Sequence, residues 1–217
     1  MTEFKSASTR YLYVDLCFTI VKENTTFKFI KYVIQKEGMT IQKILYALYM
    51  SKFFSVWQSI VKPTKYTRSK LLLKLLTGVK RDVIEDHAHE YAKNVLSYNS
   101  RENVINKIKD AQECGVHVTI LSASIDPVVK AFANILSTDY ICSTLAYKNK
   151  LVTGTLKFDM TGQKSRYVST ALHTTMITDN FEDIEMQNTI DEFYIVLKQR
   201  SHKKIWDRVS KVKGYIS

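Results

Sequence analysis

Five side chains that could act on a phosphate group follow a common pattern in this sequence. Asp15, Ser122 and Asp179 each stand at or just beyond the end of a short apolar segment. Asp183 lies four residues after Asp179, and Lys164 precedes the last of these segments. Carboxylate and hydroxyl oxygens suit a hard divalent cation, and an ammonium group suits a phosphate. Together these side chains predict metal-assisted chemistry on a phosphate ester.

The apolar segments that must position these residues predict β-strands. They cover residues 11–16, 116–121, 140–145, 151–156, 174–178 and 193–197. Helices are predicted between most of them: Ser100 is a candidate N-cap of a helix that ends near Gly115, and Asp126 and Pro127 open another. Strands separated by helices predict an α/β fold with a parallel sheet covered on both faces. Ligands of such sheets bind at the carboxyl ends of the strands.

The block between the first two strands has a different pattern. Residues 25–96 show helical periodicity, which predicts an inserted all-helical cap of residues 23–97 on a core of residues 1–22 and 98–217. The most apolar long stretch, residues 41–61, is interrupted by Lys43 and Lys52 and predicts a buried or surface-lying helix rather than a membrane span. Near the other end of the chain, Ile205, Trp206 and Val209 predict a C-terminal helix packed on the sheet.

The formal net charge of +11 is concentrated in one part of the chain. Residues 28–74 contain nine lysines and one arginine against a single acid, Glu37. Such a field attracts phosphorylated substrates, nucleic acid or an acidic membrane surface, unless the lysines only form solvated helix faces. Nucleic acid is the less favoured partner, because no recognition helix or stacking motif stands out.

The expected location follows from the first residues and the cysteines. The first ten residues are polar, which argues against a secretory signal. The three cysteines form no CxxC pair, which argues against a disulfide framework or a zinc site. We therefore expect a cytoplasmic protein, with contact at the periphery of a membrane as an open alternative.

Four short motifs give the sequence a family resemblance. DLCFT (15–19), ILSAS (120–124), GQK (162–164) and DNFED (179–183) resemble, in this order, the motifs of the haloacid dehalogenase-like (HAD) superfamily of hydrolases. The segments 71–96 and 115–132 resemble its phosphoserine-phosphatase-like branch, subfamily IB, which has a helical C1-type cap. The resemblance implies a Rossmann-like HAD core, and it implies a Mg²⁺-dependent phosphatase that acts on a small phosphate monoester through an aspartyl-phosphate.

The resemblance also implies a role for each motif residue. Asp15 would be the nucleophile, and Thr19 would steady the first loop. The catalytic residues would be Asp15, Cys17, Thr19, Ser122 and Lys164. The Mg²⁺ ligands would be Asp15, the backbone carbonyl of Cys17, Asp179 and Asp183. The contacts to the substrate phosphate would come from Ser122, Ala123, Lys164 and Asn180.

The sequence departs from the family pattern in two places. Thr178 stands where glycine is common and Asn180 where serine is common, and the other two departures adjoin the nucleophile. Family phosphatases usually have a second aspartate two residues after the nucleophile, where this chain has Cys17, and a small residue next, where it has Phe18. A thiol has a reference pKa of about 8.5 and forms weak hydrogen bonds, so it is a poor substitute for a carboxylate. General acid–base catalysis is typically worth about 10²–10⁴-fold in rate.

Three functions are compatible with this departure. The chain is a slow or specialised phosphatase, a phosphotransferase with an alcohol acceptor, or a catalytically inactive binding protein that kept the fold. Retention of the other motif residues argues against the inactive alternative. The basic, aromatic-rich cap fits a substrate with further negative charge, such as a sugar phosphate, a nucleotide-linked metabolite or a membrane lipid phosphate.

Overall fold

A mostly parallel sheet of seven strands forms the centre of the protein. The structure is a computed structural model that describes residues 9–61, 67–169 and 173–216. The strands are β1 (Thr9–Val14), β2 (His117–Ile125), β3 (Asp139–Lys148), β4 (Leu151–Phe158), β5 (His173–Thr178), β6 (Glu192–Val196) and β7 (Val212–Ile216). Their order in the sheet is β4-β3-β2-β1-β5-β6-β7. Neighbouring strands are parallel except β3 and β4, which form an antiparallel hairpin.

Six of the described α-helices lie between β1 and β2 in the chain, and the first five of them fall within residues 25–96. The α-helices are α1 (Thr25–Lys36), α2 (Thr40–Met50), α3 (Lys52–Val61), α4 (Arg68–Lys74), α5 (Arg81–Tyr91), α6 (Glu102–Glu113), α7 (Asp126–Leu136) and α8 (Lys203–Trp206). A π-helical turn, Ala92–Leu96, continues α5. This is the all-helical block that the sequence predicts, although its division from the core at residues 23 and 97 stays a prediction.

Alternating side chains of β1 separate two hydrophobic cores on the two faces of the sheet. Leu12 and Val14 pack in one cluster, and Tyr13 packs in the other, as the two-residue period of a strand requires. The first cluster continues into the inserted helices through Phe29 of α1 and Ile84 of α5. These helices therefore share a continuous core with the sheet.

The prediction of a single helix over the apolar stretch of residues 41–61 is wrong, although the surface-lying alternative is the one that the structure shows. The structure has two helices there, because the chain becomes extended at Ser51 and the Ser51 hydroxyl oxygen accepts a hydrogen bond from the Phe54 N–H at 3.1 Å. This is the contact of an N-cap residue, so Ser51 ends α2 and starts α3. Several apolar side chains of both helices are exposed, so the stretch lies on the surface rather than in the core.

Two other local predictions need correction. Helix α6 begins at Glu102, and the Ser100 hydroxyl donates instead to the Leu96 carbonyl oxygen at 2.8 Å, so Ser100 does not cap it. The expected C-terminal helix has only four residues, and Ile205 is exposed. Trp206 and Val209 are buried as expected, but the β-rich segment after them pairs with β6 and forms β7.

A close approach at Gly154 holds α4 and the turn after it against the sheet. Gly154 has φ of +77°, and a Cβ atom there would lie 2.3 Å from Thr77 Oγ1 and 2.9 Å from Lys74 Cα. The Gly78 N–H donates to the Val152 carbonyl at 2.9 Å, which adds a backbone contact to β4. The inserted helices are thus joined to the edge hairpin of the sheet as well as to its centre.

Candidate active site

Asp15 lies at the carboxyl end of β1 in a tightly turned loop. Its N–H donates to the Ile177 carbonyl of β5 at 3.0 Å, and its Oδ1 accepts from the Leu16 N–H at 2.8 Å. The Val21 N–H then bonds back to the Leu16 carbonyl at 3.1 Å, so the chain reverses directly after Asp15. The carboxylate is therefore buried and fixed at the edge where the parallel strands end.

Lys164 joins two buried carboxylates. Its side chain comes from a 3₁₀ turn after β4, and Nζ lies 3.0 Å from Asp183 Oδ2 and 3.3 Å from Asp15 Oδ1. Burial lowers the pKa of this ammonium group, but the charges of Asp15 and Asp183 outweigh burial and raise the pKa above its ordinary value. Lys164 is consequently charged at neutral pH and offsets the charge of both carboxylates.

The Asp15 carboxyl has a raised affinity for a proton. Burial is the main cause, and it raises the pKa of Asp15 to about 6 although Lys164 and the Leu16 N–H act in the opposite direction. The nearby charges of Asp183 and Asp179 raise the pKa further. A carboxylate that is this costly to ionise gains from any additional positive charge placed next to it.

Asp179, at the end of β5, has a separate pair of partners. Its Oδ1 accepts from the hydroxyl of Thr19 at 2.8 Å, and Thr19 is itself fully buried. Its Oδ2 forms an ion pair with Lys198, which follows β6. Thr19 thus connects the loop after β1 to the end of β5, while its steadying role in catalysis stays a prediction.

The segment after Asp179 orients Asp183. This carboxylate accepts from the Thr178 hydroxyl at 2.5 Å in addition to Lys164. The Asn180 side-chain oxygen accepts from the Glu182 N–H at 3.2 Å and caps the 3₁₀ segment Phe181–Asn188. Asn180 therefore has a structural contact beside its predicted role at the phosphate.

Ser122 and Ala123 occupy a part of β2 in which the pairing with β3 shifts register. Ser122 is buried, and its hydroxyl oxygen accepts from the Ser124 N–H at 3.3 Å. The Ala123 carbonyl accepts from the Ser143 hydroxyl at 2.9 Å. Both residues lie at the same edge of the sheet as Asp15.

Cys17 belongs to a small polar cluster. Its Sγ lies 3.1 Å from Thr25 Oγ1 and 3.0 Å from Ser124 Oγ, and it accepts from the Thr25 N–H at 3.3 Å. The two hydroxyl oxygens are 2.6 Å apart. Burial, and then the charge of Asp15, raise the pKa of the thiol above its ordinary value. The thiol is therefore protonated at neutral pH.

Phe18 combines an unfavourable backbone with a favourable ring contact. Its φ of +59° lies in the left-handed region, which is sterically costly for a residue with a Cβ. Lys198 Nζ lies 4.4 Å from the centroid of the Phe18 ring, within the range of a cation–π interaction. Lys198 thus connects the phenyl ring to the carboxylate of Asp179.

A cavity of about 900 Å³ opens over these groups. The predicted residues that line it are Asp15, Cys17, Ser122, Ala123, Lys164, Asp179, Asn180 and Asp183. Thr19 lies outside the lining, behind Asp179. Helix α4 contributes Lys70 and Lys74 to the lining, and β4 contributes Thr155.

Sequence reasoning missed three residues of this site. Lys198 directly follows the predicted strand 193–197, so its place at a strand end could have indicated it. Ser124 lies inside the motif ILSAS, but the alternation of a regular strand gives no sign that it meets Cys17. Thr25 starts α1, and its contact with Ser124 depends on the packing of α1 against β2.

A comparison of the sequence with protein-family models agrees with the resemblance that the order of the four motifs indicates. The family model described as haloacid dehalogenase-like hydrolase matches residues 15–183, more than half of the chain. The chain belongs to this family. No curated protein matches it in sequence.

Solved structures share the HAD fold at low sequence identity. A protein of unknown function from Bordetella pertussis Tohama I has a TM-score of 0.73 at 12% identity, with 94% of this chain and 98% of that chain covered. A phospho-aspartyl intermediate analogue of phosphoserine phosphatase has a TM-score of 0.59 at 15% identity, with 96% of this chain and 93% of that chain covered. Cytosolic 5′-nucleotidase IIIB bound to cytidine has a TM-score of 0.61 at 15% identity, with 94% of this chain and 80% of that chain covered. The protein therefore has the Rossmann-like HAD fold.

The pKa of Asp15 predicts that the HAD site is built at a cost in stability. Because the pKa is raised in the folded protein, the stabilising contribution of the group is complete below its unfolded pKa of 3.8 and is lost as the pH rises through about 6. In EDTA at pH 7.5, Asp15→Asn should therefore be more stable than the wild type, by on the order of 2–3 kcal/mol or about 5–10 °C in Tm.

The difference in Tm between Asp15→Asn and the wild type should narrow at about pH 4.5, where Asp15 is largely protonated. Asp110→Asn is the matched control, because Asp110 is an exposed aspartate on α6 and its substitution should leave Tm unchanged at both pH values. A lower Tm for Asp15→Asn at pH 7.5 would show that the ion pair with Lys164 outweighs the cost of burial.

Proposed function

We propose that this protein is a Mg²⁺-dependent phosphatase that acts on a small phosphate monoester through an aspartyl-phosphate at Asp15. The observation that carries the proposal is the buried chain of contacts from Asp15 through Lys164 to Asp183 at the edge of a large cavity. Phosphoryl transfer needs positioned charges around the phosphate more than it needs covalent chemistry from the protein. This arrangement supplies such charges around one fixed carboxylate.

The donor set fits magnesium. Among the described residues, no three His, Cys, Asp or Glu side chains form a closed metal cage, but Mg²⁺ is commonly held by one or two carboxylates with water and phosphate oxygens. Asp15 and Asp179 would hold it, with the carbonyl of Cys17, and Asp183 would assist. Bound Mg²⁺ would neutralise the charge that develops on the phosphate oxygens. The positive charge of Lys198 on Asp179 supports a preference for a cation at this place.

The first half-reaction can be assigned to atoms of this chain. Asp15 Oδ1 is engaged by the Leu16 N–H and Lys164, so we assign the attack on phosphorus to Oδ2. The Oδ2–P bond forms as the ester P–O bond breaks, and the electron pair of that bond leaves with the alcohol oxygen. Lys164 keeps Asp15 ionised. Ser122, whose oxygen accepts from the Ser124 N–H, can donate its own hydroxyl proton to a phosphoryl oxygen.

The second half-reaction is where this chain differs from its relatives. Hydrolysis of an aspartyl-phosphate needs a base that removes a proton from water, and the protonated Cys17 thiol does not provide one at neutral pH. The leaving alcohol likewise receives little help from a weak donor. We therefore propose slow hydrolysis with substrates that have good leaving groups. Transfer of the phosphoryl group to an alcohol acceptor is the second candidate, because an acceptor bound in the cavity would compete with poorly activated water.

The cavity supports a substrate larger than phosphate itself. Its volume of about 900 Å³ lies near the upper end of small-molecule sites, which is about 1,000 Å³. The lining includes basic side chains from α4, Lys70 and Lys74, and acidic ones from the 3₁₀ segment Phe181–Asn188, Glu182 and Glu185. A phosphorylated small molecule with both charged and hydroxyl groups fits this lining.

The free cysteines Cys17, Cys114 and Cys142 support a reducing cytoplasmic location.

A panel of phosphate esters assayed with Mg²⁺ tests the proposed activity. The wild type should release inorganic phosphate from at least one aryl or metabolite ester, and Asp15→Asn should lower the rate by at least about 10³-fold because the nucleophile is lost. Asp110→Asn should retain the wild-type rate. If Asp15→Asn is as active as the wild type, the nucleophile is not Asp15 and the mechanism is wrong.

Lys198→Gln tests whether magnesium and Lys198 compete for Asp179. Removal of the ammonium group should lower the Mg²⁺ concentration at the midpoint of thermal stabilisation by up to about fivefold, because a partly exposed ion pair is worth at most about 1 kcal/mol. Lys204→Gln, at an exposed lysine of α8, should leave the midpoint unchanged. Equal midpoints for Lys198→Gln and the wild type would place magnesium away from Asp179.

Cys17→Asp should restore the missing acid–base group. The new carboxylate would lie within reach of the Thr25 N–H and the Ser124 hydroxyl, which now contact the thiol. Turnover of a simple alkyl phosphate should rise by up to about 10²-fold, and an aryl phosphate should gain less because its leaving group needs little protonation. Initial rates on the two esters give the comparison.

Two variants control the Cys17→Asp experiment. Asparagine has the shape of aspartate but no titratable group, so Cys17→Asn should give no gain in turnover of the alkyl phosphate. Phe18→Gly, added to Cys17→Asp, removes the ring and the left-handed strain at the next residue, so it separates blocked access from missing chemistry. An equal gain in Cys17→Asn would contradict the acid–base explanation.

A further inference from the structure

Helices α2 and α3 expose apolar side chains that nothing in the described structure covers. On α2 the exposed residues are Ile41, Ile44 and Leu48. On α3 they are Phe53, Val56, Trp57 and Ile60. Their spacing of three or four residues places each set on one helical face. Phe53 and Ile60 are 77% and 76% exposed, so these faces are not part of the core.

The surroundings of these faces are positively charged. Residues 40–61 contain Lys43 and Lys52 and no aspartate or glutamate. The neighbouring helices add exposed lysines: Lys28 and Lys31 on α1, and Lys70 and Lys74 on α4. The two helices also pack together, since the rings of Tyr49 on α2 and Phe54 on α3 lie 5.4 Å apart. Arg68 of α4 contacts both helices, because its Nε donates to the Tyr49 carbonyl at 2.9 Å and its Nη2 to the Ser55 hydroxyl at 2.5 Å.

We propose that α2 and α3 form a docking surface for an anionic lipid bilayer. Interfacial helices characteristically combine Trp, Phe and aliphatic residues on one face with lysine beside them, and their apolar side chains enter the boundary between headgroups and acyl chains. Clustered lysines are attracted by anionic headgroups. No described helix is long and apolar enough to cross a bilayer.

The charge makes a lipid surface a better occupant than another protein. Lysine is depleted in protein–protein interfaces, whereas residues 28–74 contain nine lysines. Two copies of this chain that met through α2 and α3 would bring two strongly positive surfaces together, which electrostatic repulsion opposes. An anionic bilayer satisfies both the apolar faces and the lysines. The docking surface is independent of the proposed catalytic chemistry.

Vesicle sedimentation of the full chain tests the proposal. The wild type should sediment with phosphatidylcholine vesicles that contain about 30% phosphatidylserine and at least about tenfold less with phosphatidylcholine alone. Binding should weaken between about 0.05 M and 0.5 M salt because screening shortens the reach of the lysines. Trp57 fluorescence should shift to shorter wavelength on binding, and Trp57→Phe should remove that shift, because the other tryptophan, Trp206, is buried.

Paired variants separate the docking surface from the rest of the protein. Phe53→Asp with Ile60→Asp and, separately, Lys43→Glu with Lys52→Glu should each lower vesicle binding by at least about tenfold. Tyr98→Asp, at another highly exposed aromatic residue, and Lys109→Glu with Lys130→Glu, at exposed lysines of α6 and α7, should bind as the wild type does. Circular dichroism and Tm confirm that each variant is folded.

Three results would overturn the proposal. One is absence of wild-type binding to the anionic vesicles at low salt. Another is a loss of vesicle binding in the control variants that equals the loss in the docking-surface variants, which would show that only the net charge of the protein matters. The third is a dimer of the wild type that Phe53→Asp with Ile60→Asp converts to a monomer without a change in vesicle binding, which would make this surface an interface between copies of the chain.

Discussion

Three carboxylates of this protein are buried close together at one edge of the sheet, and the repulsion between them has to be balanced within the fold. Lys164 balances Asp15 and Asp183, and Lys198 balances Asp179. Removing Lys164 would leave Asp15 and Asp183 without their buried cation, and an uncompensated charge of this kind typically costs about 3–5 kcal/mol. The loop after β1, the 3₁₀ turn at Lys164 and the 3₁₀ segment after Asp179 must therefore keep their mutual positions. A site of this kind requires the continuous core that joins sheet and helices.

Strand-end residues could be predicted from the sequence because parallel strands are buried on both faces. Such strands appear as short apolar runs, and a charged residue directly after them marks the sheet edge, as Asp15 and Asp179 do. Contacts made by distant segments gave no comparable signal. The meeting of Cys17, Thr25 and Ser124 depends on how α1 packs on β2, and the break at Ser51 depends on one side-chain cap. The replacement of a C-terminal helix by β7 reflects the pairing available at the edge of β6, which periodicity alone does not reveal.

Phe18, one of the departures from the family pattern, is linked to Lys198. Phe18 adopts a left-handed conformation that costs a non-glycine residue about 1–2 kcal/mol. The cation–π contact with Lys198 is worth about 0.5–2 kcal/mol and offsets much of that cost. The same ammonium group balances Asp179. A glycine at position 18 would relieve the backbone but would leave Lys198 with one contact fewer, so a substitution of Phe18 changes the electrostatics of the site as well as its shape.

The positive exterior and the acidic interior of this protein act over different distances. Lysines on α1 to α4 create a field that reaches about 8–10 Å into a salt solution and raises the local concentration of anions. The carboxylates at the sheet edge are buried, so this field does not neutralise them, and they need a cation in contact. Attraction of an anion and stabilisation of a phosphate at Asp15 are therefore separate tasks carried out by separate lysines. Charge alone suffices for the first task, whereas docking on a bilayer also requires the apolar faces of α2 and α3. The apolar faces, rather than the lysines, would therefore make the protein prefer a membrane surface to other sources of negative charge.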